Sequence, residues 1–141
     1  MNNTSKKIEY YLYNYENIDT KICNLKSEML DSEYNQSYNR WIKNKSSSLE
    51  DQVIRNIGIE QRIYKITRWK KLITYTMEWY KYTKPINYQF INLKYIKKAS
   101  YMTIQKELNL SIKEQKYIQA EILQYIFFVA IKKGILREVN Y

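Results

Sequence analysis

The chain is expected to fold as an all-α protein, and three observations lead there. Apolar residues recur at steps of three and four over most of its length. One Pro and two Gly among 141 residues leave too few turn formers for an all-β fold built on tight hairpins. Hydrophobic residues at 45% and aromatic residues at 16% are enough to build a core and argue against disorder. The expected arrangement is two long N-terminal helices plus a C-terminal three-helix unit containing a helix-turn-helix. All of it is read as a single domain, 1–141, with a long-helix region at 1–84 and a helix-turn-helix region at 85–141.

The elements follow in order. Ile8, Leu12, Tyr15, Ile18, Ile22, Leu25 and Met29 share one helical face, which predicts one amphipathic helix over 5–31 capped by Thr4 or Ser5. Residues 32–48 lose the pattern and are rich in Asn and Ser, so a long loop is expected there, pinned by Trp41. Ser48 and Asp51 form a capping signature for a second helical region. Leu49, Val53 and Ile57 share a face of it. After Gly58 the phase slips, and Ile59, Ile63, Ile66, Trp69, Ile73, Met77 and Tyr80 take over. A glycine at a phase slip predicts a kink or break.

Pro85 ends this region and suits the first turn of a third helix running to about Lys98. Ser100, Tyr101 and Met102 read as a turn, and residues 103–108 as a short fourth helix. Ser111, with Glu114 three residues later, caps a fifth helix whose buried face is marked by Ile112, Ile118, Ile122, Tyr125 and Val129. Lys132, Lys133 and Gly134 end it.

Composition excludes several chemistries. With no His, catalytic triads, Cys-His dyads and imidazole metal sites are absent. Two Gly cannot form a phosphate loop, and one Cys can form neither an internal disulfide nor a Cys-based zinc site. No paired carboxylates stand out, so neither catalysis nor any cofactor or metal is expected. The longest apolar run, 126–131, is six residues, and no apolar leader follows Met1; a cytoplasmic protein with no membrane partner is expected.

The net charge is +10. Residues 1–48 carry seven basic and six acidic side chains, 49–84 eight and four, and 85–141 nine and four, so the excess lies in the second half. Abundant Lys, Ile, Asn and Tyr fit an AT-rich coding sequence, which discounts part of that charge. Arg62, Lys65, Arg68, Lys70 and Lys71 form a basic stripe that reads first as a solvated helix face. Cys23 reads as a small packing residue, and the sixteen Tyr as packing groups before stacking platforms.

The most specific local pattern is the short helix, tight turn and capped longer helix from Thr103 onward, the outline of a helix-turn-helix that places its second helix in the DNA major groove. Ile104, Leu108, Leu110 and Ile118 fall where the motif packs its two helices together. Lys113, Lys116, Tyr117 and Gln119 then point away, toward bases. Lys97, Lys98, Thr103 and the cap residue Ser111 complete the expected DNA-binding set, the first three on phosphates. Three positions depart from the motif: Asn109 stands in place of Gly, Gln105 in place of a small residue, and Gln115 in place of an apolar one.

Tyr88-Gln89-Phe90-Ile91-Asn92-Leu93-Lys94-Tyr95, followed by Met102-Thr103-Ile104-Gln105-Lys106-Glu107-Leu108-Asn109-Leu110-Ser111, resembles phage and prophage transcriptional regulators of the RinA and ArpU type. These are small proteins of Gram-positive bacteria whose C-terminal half is similar to region four of sigma factors. Leu93-Lys94-Tyr95 matches the end of their aromatic stretch. The resemblance covers residues 85–131, and only the architecture before that. It implies promoter-proximal DNA binding, contact with RNA polymerase and control of phage late genes. The expected partners are double-stranded DNA and, through the N-terminal helices, RNA polymerase or a second copy of the chain in a homodimer. The alternative function is a helical interaction protein, such as an oligomeric phage assembly or packaging component that reads no bases.

Overall fold

A computed structural model describes the backbone of residues 3–43 and 47–137 and the side chains of 3–31 and 50–137. Every element among the described residues is helical. They are α1 (Asn3–Tyr13), a 3₁₀ turn (Tyr15–Asn17), α2 (Ile18–Lys43), α3 (Ser47–Thr83), α4 (Pro85–Ile91), a π turn (Asn92–Ile96), α5 (Tyr101–Leu108) and α6 (Ile112–Lys132). The chain forms two compact units, one of Met1–Glu16 with Arg68–Tyr141 and one of Asn17–Thr67.

The helix expected over 5–31 is instead divided. It starts at Asn3, which puts Thr4 and Ser5 inside the first turn, and it breaks after Tyr13. At the break the Asn14 side-chain amide donates to the Tyr10 carbonyl at 2.8 Å, an oxygen that the Asn14 backbone N–H also reaches at 3.1 Å. A short polar side chain that engages its own backbone competes with helix continuation. The tyrosines around it fix α1 in the first unit: Tyr11 stacks on Trp69 at 4.7 Å, and Tyr13 meets Tyr95 edge-on at 4.7 Å. The Tyr15 hydroxyl lies 2.6 Å from that of Thr74.

The long loop expected over 32–48 is not what forms. The backbone is helical to Lys43 and again from Ser47. Asn and Ser are weak helix formers but not helix breakers, and no Gly or Pro interrupts them. The expectations for Trp41 and for the Ser48 cap lie outside the described side chains.

Gly58 does not break α3, which is continuous from Ser47 to Thr83. What looked like a phase slip is two stripes on opposite faces of one helix. Ile59, Ile66, Trp69, Ile73 and Tyr80 are buried, whereas Val53 and Ile57 are exposed. One turn per 3.6 residues places the two sets about half a turn apart.

In the second unit, α2 buries Ile18 and Leu25 and half-buries Ile22 and Met29, the seam the sequence spacing marked. Met29 and Lys26 of α2 line one shallow groove with Ile63 and Thr67 of α3. Cys23 is exposed, not packed, because it sits one residue off that seam.

In the first unit, α4 and the π turn lie against α5, α4 also packs on α6, and α1 packs on α6 and the π turn. Trp69, Phe90, Ile91, Tyr95, Ile104, Ile122 and Ile126 are among its fully buried side chains. The third helix thus ends in a π turn rather than as regular α-helix, closed by Lys98 in the left-handed region (φ 54°) with the Ala99 N–H on the Leu93 carbonyl at 2.9 Å.

Candidate nucleic-acid interface

The unit that α4, α5 and α6 build has its joint at Asn109. That residue takes the left-handed conformation (φ 55°, ψ 43°), which Asn tolerates better than other side chains, so it serves where Gly is usual. α5 starts at Tyr101, two residues before the expected Thr103, because Ser100 is its cap and accepts from the Thr103 N–H at 3.3 Å. Ser111 caps α6 as the sequence implied. Its hydroxyl accepts the Glu114 N–H at 3.1 Å and donates to the Glu114 carboxylate at 3.0 Å.

Ile104, Leu110 and Ile118 are buried behind the two helices, and Leu108 is half-buried. The apparent misfit at Gln115 resolves as a clamp. Its side chain is fully buried, and its amide nitrogen donates to the carbonyls of Tyr101 at 3.0 Å and Leu110 at 3.1 Å. One polar side chain thereby ties α6 to the start of α5 and to the turn between them. Gln105 is exposed, so its bulk does not hold the helices apart.

The outward face of the first half of α6 carries Lys113, Lys116 and Tyr117, all exposed as expected. Lys97, Lys98 and Thr103 are also exposed, with the Thr103 hydroxyl 3.0 Å from that of Ser100.

Two expectations change. Gln119 is not on the open face: it is half-buried and donates to the Glu9 carboxylate of α1 at 2.7 Å. Packing of α1 along that side of α6, invisible in the local motif, claims it. Ile112, expected inside, is exposed beside Lys113. As the first residue of the helix it lies on the outer face a turn before Lys116, where an apolar side chain can meet a thymine methyl. Met102 on α5 is exposed as well.

Lys94, close in sequence to Lys97 and Lys98, does not join them in solvent: it is buried, with its ammonium donating to the Tyr101 hydroxyl at 3.3 Å and lying 4.5 Å from the centre of that ring. Arg68 leaves the basic stripe of α3, since its guanidinium donates to the Lys133 carbonyl at the end of α6. Gly134 completes that end with φ 73°, and the Ile135 N–H reaches the Ala130 carbonyl at 2.8 Å. Lys84 pairs with Glu121, which holds its ammonium above the usual lysine range. Burial, and then the nearby Glu121 carboxylate, pushes the Tyr80 phenol up to about 12, so it adds no charge near neutrality.

Among the described residues no helix is long and apolar enough to cross a membrane. No protein-family model, curated protein or solved structure matches this chain.

Proposed function

We propose that the α5–α6 unit is a helix-turn-helix that reads double-stranded DNA, and that the chain is a transcriptional regulator of phage or prophage type. The observation that carries this reading is the division of the first half of α6. Gln115 and Ile118 are locked inward, while Ile112, Lys113, Lys116 and Tyr117 stand in solvent on a capped helix. Cations and amphipathic groups at one exposed helix end suit guanine edges, thymine methyls and phosphates. The +10 net charge supports attraction to a polyanion. The resemblance of residues 88–95 and 102–111 to RinA- and ArpU-type regulators supports the transcriptional role and, through it, RNA polymerase as a partner. In this reading the protein is not an enzyme.

Lys113 and Lys116 face base edges, and Lys97 and Lys98 face phosphates. Selection from a random DNA pool supplies the specific duplex. Titrations of wild type, Lys97→Ala, Lys98→Ala, Lys113→Ala and Lys116→Ala on specific and random duplexes at several salt concentrations then test the roles. Lys113→Ala or Lys116→Ala is expected to cost about 1–3 kcal/mol and relax one base position. Lys97→Ala or Lys98→Ala is expected to weaken binding to both duplexes alike and reduce the salt slope by about one. Equal losses for all four on both duplexes would reduce the surface to a basic patch. No loss for any would return the function to a helical interaction protein.

A further inference from the structure

A groove of about 490 Å³ runs along α6 in the first unit, within the size range of small-molecule sites. α6 lines it with Lys116, Ala120, Leu123 and Phe127, α5 with Tyr101 and α1 with Ser5. Lys116 and Phe127 are three helical turns apart, so at 1.5 Å per residue the lining spans about 16 Å of the helix.

Its two ends differ in chemistry. At one end Lys116 is exposed, and no described carboxylate pairs with its ammonium. Gln115 holds the Tyr101 carbonyl against the same turn of α6. The buried Lys94 ammonium lies 4.5 Å from the centre of the Tyr101 ring and donates to its hydroxyl, which keeps its own proton to give. Two ammonium groups thus gather at this end, and none of the side chains lining the groove is acidic. Glu9 of α1 is engaged by Gln119 and does not line it. At the other end Leu123 and Phe127 are apolar, and Phe127 is 39% exposed, so a hydrocarbon laid on it removes apolar surface from water.

A cationic end and an apolar end along one helix fit a linear amphiphile with a negative head. We propose that the groove binds a single-chain carboxylate, its head on Lys116 and its chain along Ala120, Leu123 and Phe127. Lys116 also belongs to the proposed DNA face, so a bound carboxylate takes that cation from the duplex. This competition rests on the DNA reading, whereas the binding itself does not.

Dodecanoate, whose extended chain is about as long as the groove, is the probe. Calorimetric titration of the full chain below the micelle-forming concentration is expected to give a Kd on the order of 10–100 μM. Dodecyltrimethylammonium has the same tail and the opposite charge, and is expected to bind about tenfold more weakly. Lys116→Met is expected to weaken dodecanoate about tenfold and to narrow that preference. Lys106→Met removes an equal charge from an exposed position of α5 outside the groove and is expected to change nothing. Ala120→Trp fills the groove from an exposed position and is expected to abolish binding with helicity unchanged. Dodecanoate is also expected to weaken duplex binding by the wild type several-fold and to leave that of Ala120→Trp unchanged. Binding no tighter than millimolar overturns the proposal. So does equal affinity for the two head groups, equal loss from Lys116→Met and Lys106→Met, or indifference to Ala120→Trp. Duplex binding indifferent to bound dodecanoate overturns the competition. A chain that binds no duplex even without dodecanoate refutes the DNA reading, and the calorimetry still decides the site.

Discussion

The two compact units use the same element, the amphipathic helix, to different ends. The first gathers α1, the second half of α3, α4, α5 and α6 around Trp69, Phe90 and Tyr95, with Tyr11 and Tyr13 laid against two of those rings. Large aromatic side chains held by several helices give a core in which each ring touches many neighbours. The second unit joins α2 to the first half of α3 along one aliphatic seam, Ile18, Leu25, Ile59 and Ile66, and leaves Leu30, Val53, Ile54 and Ile57 in solvent. A two-helix seam gives each helix one covered face, whereas the helices of the first unit meet several neighbours. The first unit is therefore a rigid support for α5 and α6. The second is a helical pair with an apolar face left over.

The contrast is sharpest at single buried side chains. Trp69→Ala should cost about 3–5 kcal/mol, because it empties the centre of the first unit and unstacks Tyr11. Ile66→Ala in the second unit should cost nearer 2 kcal/mol, the low end for a large-to-small change, since one neighbouring helix and solvent surround it. Urea denaturation followed by circular dichroism measures both, and equal costs would erase the distinction. Gln115→Ala should come next at about 2–3 kcal/mol, since it removes the hydrogen bonds to the Tyr101 and Leu110 carbonyls and leaves a void between α5 and α6. It should also abolish specific DNA binding before it unfolds the chain, which a duplex titration at low denaturant would reveal. Ser111→Ala should lower stability by about 1 kcal/mol through loss of the α6 cap. An unchanged melting temperature would mean that Ser111 is dispensable. Gly58→Ala should do the opposite. A Cβ there meets nothing within 4 Å, and the site is inside a continuous helix, so the substitution should stabilise the second unit by about 0.5–1 kcal/mol.

Much of this was legible in residue spacing. The seams of α2 and α3, the Ser111–Glu114 cap and the left-handed Asn109 all rest on interactions within a few residues, which a sequence displays directly. The break after Tyr13 is itself local, with the Asn14 amide on the Tyr10 carbonyl, but apolar spacing carries no sign of a polar side chain turned onto its own backbone, so helical periodicity ran straight through it. Gly58 misled for the opposite reason: two apolar faces on one helix imitate a change of phase. At the candidate interface, the inward positions Ile104, Leu110 and Ile118 were readable because the motif's own helices cover them. Gln119 was not, because the side chain that takes it, Glu9, comes from the other end of the chain. Cys23 and Ile112 sit next to seam positions, where a shift of one residue turns a side chain by about 100°. A signal for Gln115 did exist. A lone amide at an otherwise apolar position of a helix pair, near a turn with unpaired carbonyls, is a candidate clamp.

The Arg68 guanidinium on the Lys133 carbonyl has a mechanical meaning. α6 has 21 residues, so at 1.5 Å per residue the fastening lies about 30 Å from the end that carries Ile112 and Lys113. A pivot of one degree at the fastened end would carry the far tip through about 0.5 Å, which is the whole positional tolerance of a side chain aimed at a specific partner atom. The helix is a lever, and the precision of its tip is set as much by the anchor at Lys133 as by the cap at Ser111.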